Sequence, residues 1–112
     1  MELTYGRYLK VEELLQLQQP LSEGPEHDEM LFIIIHQVYE LWFKQILHEL
    51  EKLKSSFQEG ERGKALHTLK RIRSILKVLV SQVDVLETMT PLEFLSFRER
   101  LQSASGFQSC KF

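Results

Sequence analysis

At 112 residues, 43% hydrophobic and 27% charged, with five Gly, three Pro and one Cys, the chain has the balance of a single globular domain. That balance excludes a collagen-like, low-complexity or disulfide-stapled protein. Sixteen acids against fourteen Lys and Arg give a net charge of −2, so no basic field gathers nucleic acid, and the one thiol, Cys110, fits a reducing, cytoplasmic setting.

In chain order, Met1-Glu2-Leu3-Thr4-Tyr5 lacks the basic and apolar regions of a signal peptide. Tyr5, Tyr8, Leu9, Val11, Leu14, Leu15 and Leu17 then predict one short amphipathic helix within residues 4–19, stopped by the Pro20 to Pro25 segment. Acids crowd the next start at Glu26, Asp28 and Glu29, where a helix dipole favours them, and no Gly or Pro returns before Gly60. A second helix is predicted from about residue 26 to about residue 58. Its apolar run Met30 to Ile35 is too short to span a bilayer and, alone, is also compatible with a buried strand; the periodic Trp42, Phe43, Ile46, Leu47, Leu50 and Leu53 beyond it favour helix.

Gly60 and Gly63 bracket a turn, after which Leu66, Leu69, Ile72, Leu76, Leu79, Val83 and Leu86 predict a third helix reaching about Thr88. The Lys70-Arg71-Arg73-Lys77 cluster reads as its solvated face. Thr90-Pro91-Leu92-Glu93 has the form of a capping box with Pro at the first helical position, opening a fourth helix to about Leu101. The tail from Gln102 to Ser109 reads as a loop. A helix of about 33 residues is about 50 Å long, whereas a compact domain of this size has a radius of gyration near 13 Å. The expected architecture is therefore an all-α bundle of long helices over residues 1–112, completed by other copies, by further sequence, or by both.

Among chemistry-bearing residues, His36 shares a helix face with Phe32, Tyr39, Phe43 and Leu47. It is either a core histidine bonded to a backbone carbonyl or to Glu40, or a hydrogen-bonding or acid-base group in an aromatic pocket. The four histidines offer no i, i+4 pair and no cysteine partner, so no protein-only metal site is expected. Cys110, with only Lys111 beside it, lacks a base that would make it a nucleophile. Arg98 follows Phe94 by four residues, which reads first as a surface salt bridge to Glu93 or Glu99 and otherwise as an anion clamp, the guanidinium gripping a carboxylate while the ring packs the ligand's apolar part.

Five segments taken together resemble a known family: Leu3-Thr4-Tyr5-Gly6-Arg7-Tyr8-Leu9, His27 to Gln37, Tyr39-Glu40-Leu41-Trp42-Phe43-Lys44, Leu86 to Leu92, and Phe97-Arg98 with Ser105-Gly106-Phe107-Gln108-Ser109. In this order they are similar to the N-terminal part of the tryptophan 2,3-dioxygenase family, over essentially the whole chain. The resemblance implies a cytoplasmic, homotetrameric haem enzyme that adds both atoms of O₂ across the indole C2–C3 bond of L-tryptophan and yields N-formylkynurenine. It also implies roles. His36 matches the distal histidine that bonds the indole N–H, and Phe32 an aromatic wall. Arg98 matches the carboxylate-binding guanidinium, Phe94 a Phe/Tyr position beside the ligand, and Tyr5, Tyr8 and Leu9 residues that enter a neighbouring subunit's pocket. Ser105 and Gly106 match a loop near haem and the substrate ammonium. The family's iron-ligating histidine lies in the second half of its fold, beyond Phe112, so the 112-residue chain is expected to be inactive alone. The competing expectation is a helical oligomerisation module without haem chemistry; a generic adaptor using the basic face of the third helix has only composition behind it.

Overall fold

The computed structural model describes residues 2–21 and 26–98, the side chains of Glu93, Ser96 and Phe97 excepted. These residues form an all-α structure with five helices: α1 (Tyr5–Leu9), α2 (Val11–Leu14), α3 (Asp28–Gln58), α4 (Arg62–Leu86) and α5 (Pro91–Arg98). Among them there is no strand, and Met30 to Ile35 is helical.

The predicted first helix is two. Thr4 caps α1 by accepting the Arg7 N–H at 3.3 Å, and Lys10 then turns left-handed at φ 55°, its own N–H bonding back to Arg7 and Gly6 carbonyls. The chain re-enters as α2 at a new angle, so the apolar residues of 5–17 never form one stripe. Leu14, Leu15 and Leu17 are all exposed.

α3 starts at Asp28, with Asp28 and Glu29 in its first turn. At its end the Glu61 N–H bonds the Ser56 carbonyl at 2.9 Å and the Gly60 N–H bonds that of Phe57 at 3.2 Å, a Schellman closure. This closure puts Gly60 at φ 71°, which is cheap for glycine and strained for a side chain. Only Glu59, Gly60 and Glu61 separate the long helices, so Gly63 lies inside α4 and not in the turn. α4 ends at Leu86, two residues short of the predicted Thr88, where the Thr88 hydroxyl donates to the Val85 carbonyl at 2.6 Å. Pro91 opens α5 as predicted. The predicted end at Leu101 and the 102–109 loop lie outside the described residues.

α3 and α4 pack antiparallel. Ala65, Ser56 and Thr68 are buried nearer the turn, where small side chains bring backbones together. Farther along, Ile46, Ile75 and Leu79 form the core with Tyr39, Trp42 and Phe43 against them. The Tyr39 hydroxyl donates to the Leu79 carbonyl at 2.7 Å and so pins one helix to the other. Glu49, 3% exposed, accepts from Gln45 at 2.7 Å and from Arg71 at 3.5 Å. Arg71, half-exposed, keeps to the solvated face expected of the basic cluster while its guanidinium reaches this one buried carboxylate.

Away from the α3–α4 seam, cover is thin. Leu92 at 78%, Val80 at 71% and Phe57 at 62% stand exposed, and the radius of gyration is 18.0 Å, well above the value of about 13 Å for a compact domain of this length. Within the described residues no helix is long and apolar enough to cross a membrane.

Candidate functional site

The open end of the hairpin, away from the Gly60 turn, is where the candidate residues meet. There the start of α3 faces the end of α4, and the short link through Met89 and Thr90 folds α5 back across α3. A cleft of about 350 Å³ results, lined by Phe32 and His36 of α3, Leu86 of α4, Met89 and Thr90 of the link, and Pro91 and Phe94 of α5. The ring centroids of Phe32 and Phe94 are 5.9 Å apart, and those of Phe32 and His36 4.2 Å apart with planes inclined at 36°. The Phe32–Phe94 separation is normal for contacting aromatic rings, and the imidazole sits closer still to Phe32.

The His36 Nδ1 lies 2.7 Å from the Phe32 carbonyl oxygen, one helical turn back. A carbonyl oxygen only accepts, so the proton of this bond sits on Nδ1, and in the neutral ring Nε2 carries the lone pair. The two readings of His36 thus coexist: one nitrogen makes the backbone bond of a core histidine while the half-buried ring lines the cleft. Tyr39, on the same face, is spent on the Leu79 carbonyl and does not line the cleft.

His36 also borders a second cleft, of about 410 Å³, between the N-terminal strap and α3, lined by Leu14, Leu17, Gln37, Glu40, Leu41 and Lys44 as well. Gln37 holds the strap. Its amide donates to the Leu17 carbonyl at 2.9 Å and its oxygen accepts from Gln18 at 2.8 Å, while the Leu21 N–H donates to buried Glu29 at 2.8 Å. Sequence reasoning missed Gln37 and Glu29 because each reads as an ordinary polar helix residue; only the strap folding back gives them partners.

The remaining candidates stand apart. Arg98, the last residue of α5, is exposed and is not among the described residues lining either cleft. Tyr5, Tyr8 and Leu9 are exposed on α1 and line neither. Ser105, Gly106 and Cys110 lie outside the described residues, as does Glu99. No group of three His, Cys, Asp or Glu able to hold a metal ion occurs among the described residues.

A family model described as tryptophan 2,3-dioxygenase matches residues 1–112. The chain belongs to the tryptophan 2,3-dioxygenase family. It is 63% identical over 110 residues to the tryptophan 2,3-dioxygenase of Herpetosiphon aurantiacus, an alignment covering 98% of this chain and 42% of that protein. Its identity to the enzyme of the same name from Anaeromyxobacter sp. is also 63%, covering 98% and 41%. With that of Aedes aegypti identity is 50% over 118 residues, covering 98% and 30%. The chain thus spans about two fifths of the length of its bacterial relatives here and less of the insect one.

Proposed function

We propose that this chain forms the substrate side of a haem-dependent dioxygenase that cleaves the indole ring of L-tryptophan, using both atoms of O₂, to N-formylkynurenine. The observation that carries the reading is the Nε2 lone pair of His36, left free by the Nδ1 bond to the Phe32 carbonyl, in a cleft walled by Phe32 and Phe94. An indole needs apolar walls for its faces and one acceptor for its single N–H, and this cleft supplies both.

In this reading the Phe32 and Phe94 rings hold the indole and exclude water, and His36 Nε2 accepts the indole N–H and fixes its rotation. Arg98, four residues beyond Phe94, takes the substrate carboxylate bidentately when ligand is bound. Tyr5, Tyr8 and Leu9, unused in their own chain, close the pocket of a neighbouring copy in a homotetramer, and Ser105 and Gly106 line the haem and the substrate ammonium. Haem, when bound, supplies the activation of O₂. The lining fits such a group, being apolar apart from His36 and Thr90. His36 is the one imidazole among the described residues lining the cleft, and its role here is toward substrate; the iron ligand is taken, as the family resemblance implies, from the second half of the family's fold. The enzyme is placed in the cytoplasm.

The test is a haem titration of the purified chain, read by its optical spectrum with and without L-tryptophan, alongside calorimetry with L-tryptophan alone. Expected are featureless, unsaturable haem uptake, no N-formylkynurenine, and weak tryptophan binding that His36→Ala and Arg98→Ala each reduce. Tryptophan binding indifferent to both substitutions sinks the substrate-side assignment and favours the oligomerisation module; a saturable Soret band that responds to tryptophan sinks the assignment of the iron ligand elsewhere.

A further inference from the structure

The cleft at the open end of the hairpin is built from parts of unequal stiffness. A planar ligand held between two rings needs them about 7 Å apart, twice the contact distance of carbon atoms. The Phe32 and Phe94 rings, 5.9 Å apart and inclined at 35°, touch each other instead and so present one continuous wall. His36 is fixed by its Nδ1 bond to the Phe32 carbonyl at 2.7 Å, Pro91 by its own ring, and Thr90 by branching at Cβ. The remaining lining is Leu86, the last residue of α4, and Met89 of the link.

Met89 differs from the rest in having a fixed root and a free side chain. Its N–H donates to the Leu86 carbonyl at 3.0 Å; before it the Thr88 hydroxyl donates to the Val85 carbonyl at 2.6 Å, and after it the Thr90 carbonyl accepts the Phe94 N–H at 3.1 Å. The side chain is half-buried and unbranched, with one more rotatable bond than that of Leu86, and a thioether packs well at the edge of an aromatic ring. Among the described residues it is thus the part of the lining that can change shape without moving the backbone. We propose that Met89 determines which ring ligands the cleft accepts, yielding to substituents on the six-membered ring of an indole where the stiff walls do not. The inference rests on the reading of this cleft as the indole site, and adds to it a specificity-determining residue.

The experiment is calorimetric titration of the purified chain with L-tryptophan and with tryptophans methylated at each carbon of the six-membered ring in turn, for the wild type, Met89→Ile, Met89→Ala and His36→Ala, with circular dichroism to confirm that each stays helical. The wild type binds tryptophan and at least one methyl isomer within about threefold of each other. Met89→Ile, close in volume but branched at Cβ, keeps tryptophan and rejects that isomer by about tenfold or more. Met89→Ala takes the isomer back and weakens tryptophan, because the space it opens suits the larger ring. His36→Ala lowers all of them alike. Carbon-13 methyl NMR of the wild-type chain needs no substitution and decides the matter should a variant unfold: of the three methionine signals, that of Met89 moves on binding, and moves most with the tolerated isomer. A ratio of isomer to tryptophan affinity that neither Met89 substitution changes, or a Met89 methyl that bound ligand leaves unmoved, overturns the proposal; if His36→Ala still weakens binding, the indole reading stands without it. A ratio that follows Met89 while His36→Ala binds as the wild type does keeps the proposal and sinks the acceptor role of His36. A chain that binds none of these ligands overturns both.

Discussion

The Glu49–Arg71 pair is lopsided, and the asymmetry gives a prediction with a sign. The Glu49 side chain is 5% exposed and Arg71 is 51% exposed, with 3.5 Å between Nη1 and Oε1. Removing Arg71 leaves a carboxylate between two helices with the Gln45 amide still donating to it at 2.7 Å. An under-satisfied buried acceptor costs about 1–3 kcal/mol, and more if it stays charged. Removing Glu49 in favour of Leu has the opposite character: the guanidinium turns to the water it already touches, and an apolar side chain enters an apolar seam. The loss is then only that of a half-exposed ion pair, about 0.2–1 kcal/mol, offset by the added burial. Arg71→Ala is therefore expected to destabilise the chain by at least about 1 kcal/mol more than Glu49→Leu. Urea unfolding followed by far-UV circular dichroism, at one fixed protein concentration, measures the difference. Should Glu49→Leu prove the more damaging, the carboxylate is a net contributor to the helix pair and the reasoning from desolvation is wrong.

Tyr39→Phe removes the hydroxyl that pins α3 to the Leu79 carbonyl and is expected to cost about 0.5–1.5 kcal/mol in the same assay; no change would mean that ring packing alone holds the helices in register. Ile75→Ala opens a cavity in the small core and should cost about 2–5 kcal/mol, against less than about 0.5 for the exposed Leu92→Ala; equal effects would place the core elsewhere. Nitrogen-15 NMR of the His36 ring at a pH where it is neutral should find the proton on Nδ1, and a proton on Nε2 removes the acceptor from the cleft. Gln37→Ala should speed amide exchange and proteolytic cutting over residues 11–21 while leaving α4 protected; an unchanged strap would show that its two bonds to Gln37 contribute nothing.

The long helices were legible because their signals are local: acids before Met30, unbroken periodicity to Gln58, a glycine where the chain must turn left-handed, and Pro91 at a first helical position. The break at Lys10 was not, since a lysine carries no mark of positive φ and the apolar spacing runs on across it. His36 and Phe32 could be placed on one face of α3 from spacing alone. Their meeting with Phe94 could not, because it depends on how the four-residue link from Glu87 to Thr90 directs α5 across α3. Glu29 reads as one of three first-turn acids favoured by the helix dipole and Glu49 carries no signal of its own, yet they are 1% and 3% exposed. What betrays them is the path of the strap and the hairpin register, neither of which has a residue-level signature. The pairing of Arg98 with Phe94 by spacing holds along α5 but does not bring Arg98 to the lining of the cleft.

The three-residue turn at Gly60 has a further consequence, in the order of events as the chain folds. Two helices joined by so short a link can zip from the turn outward, since each successive contact closes only a slightly longer loop than the last. Ser56, Ala65 and Thr68 meet early, Glu49 and Arg71 next, Tyr39 and Leu79 later, and Phe32 and Leu86 last of all. The cleft forms where the hairpin finishes. In the reverse direction its mouth is the first part to fray, so the end of the hairpin that would receive a ligand is also the end that opens at least cost, while the turn end stays closed behind it.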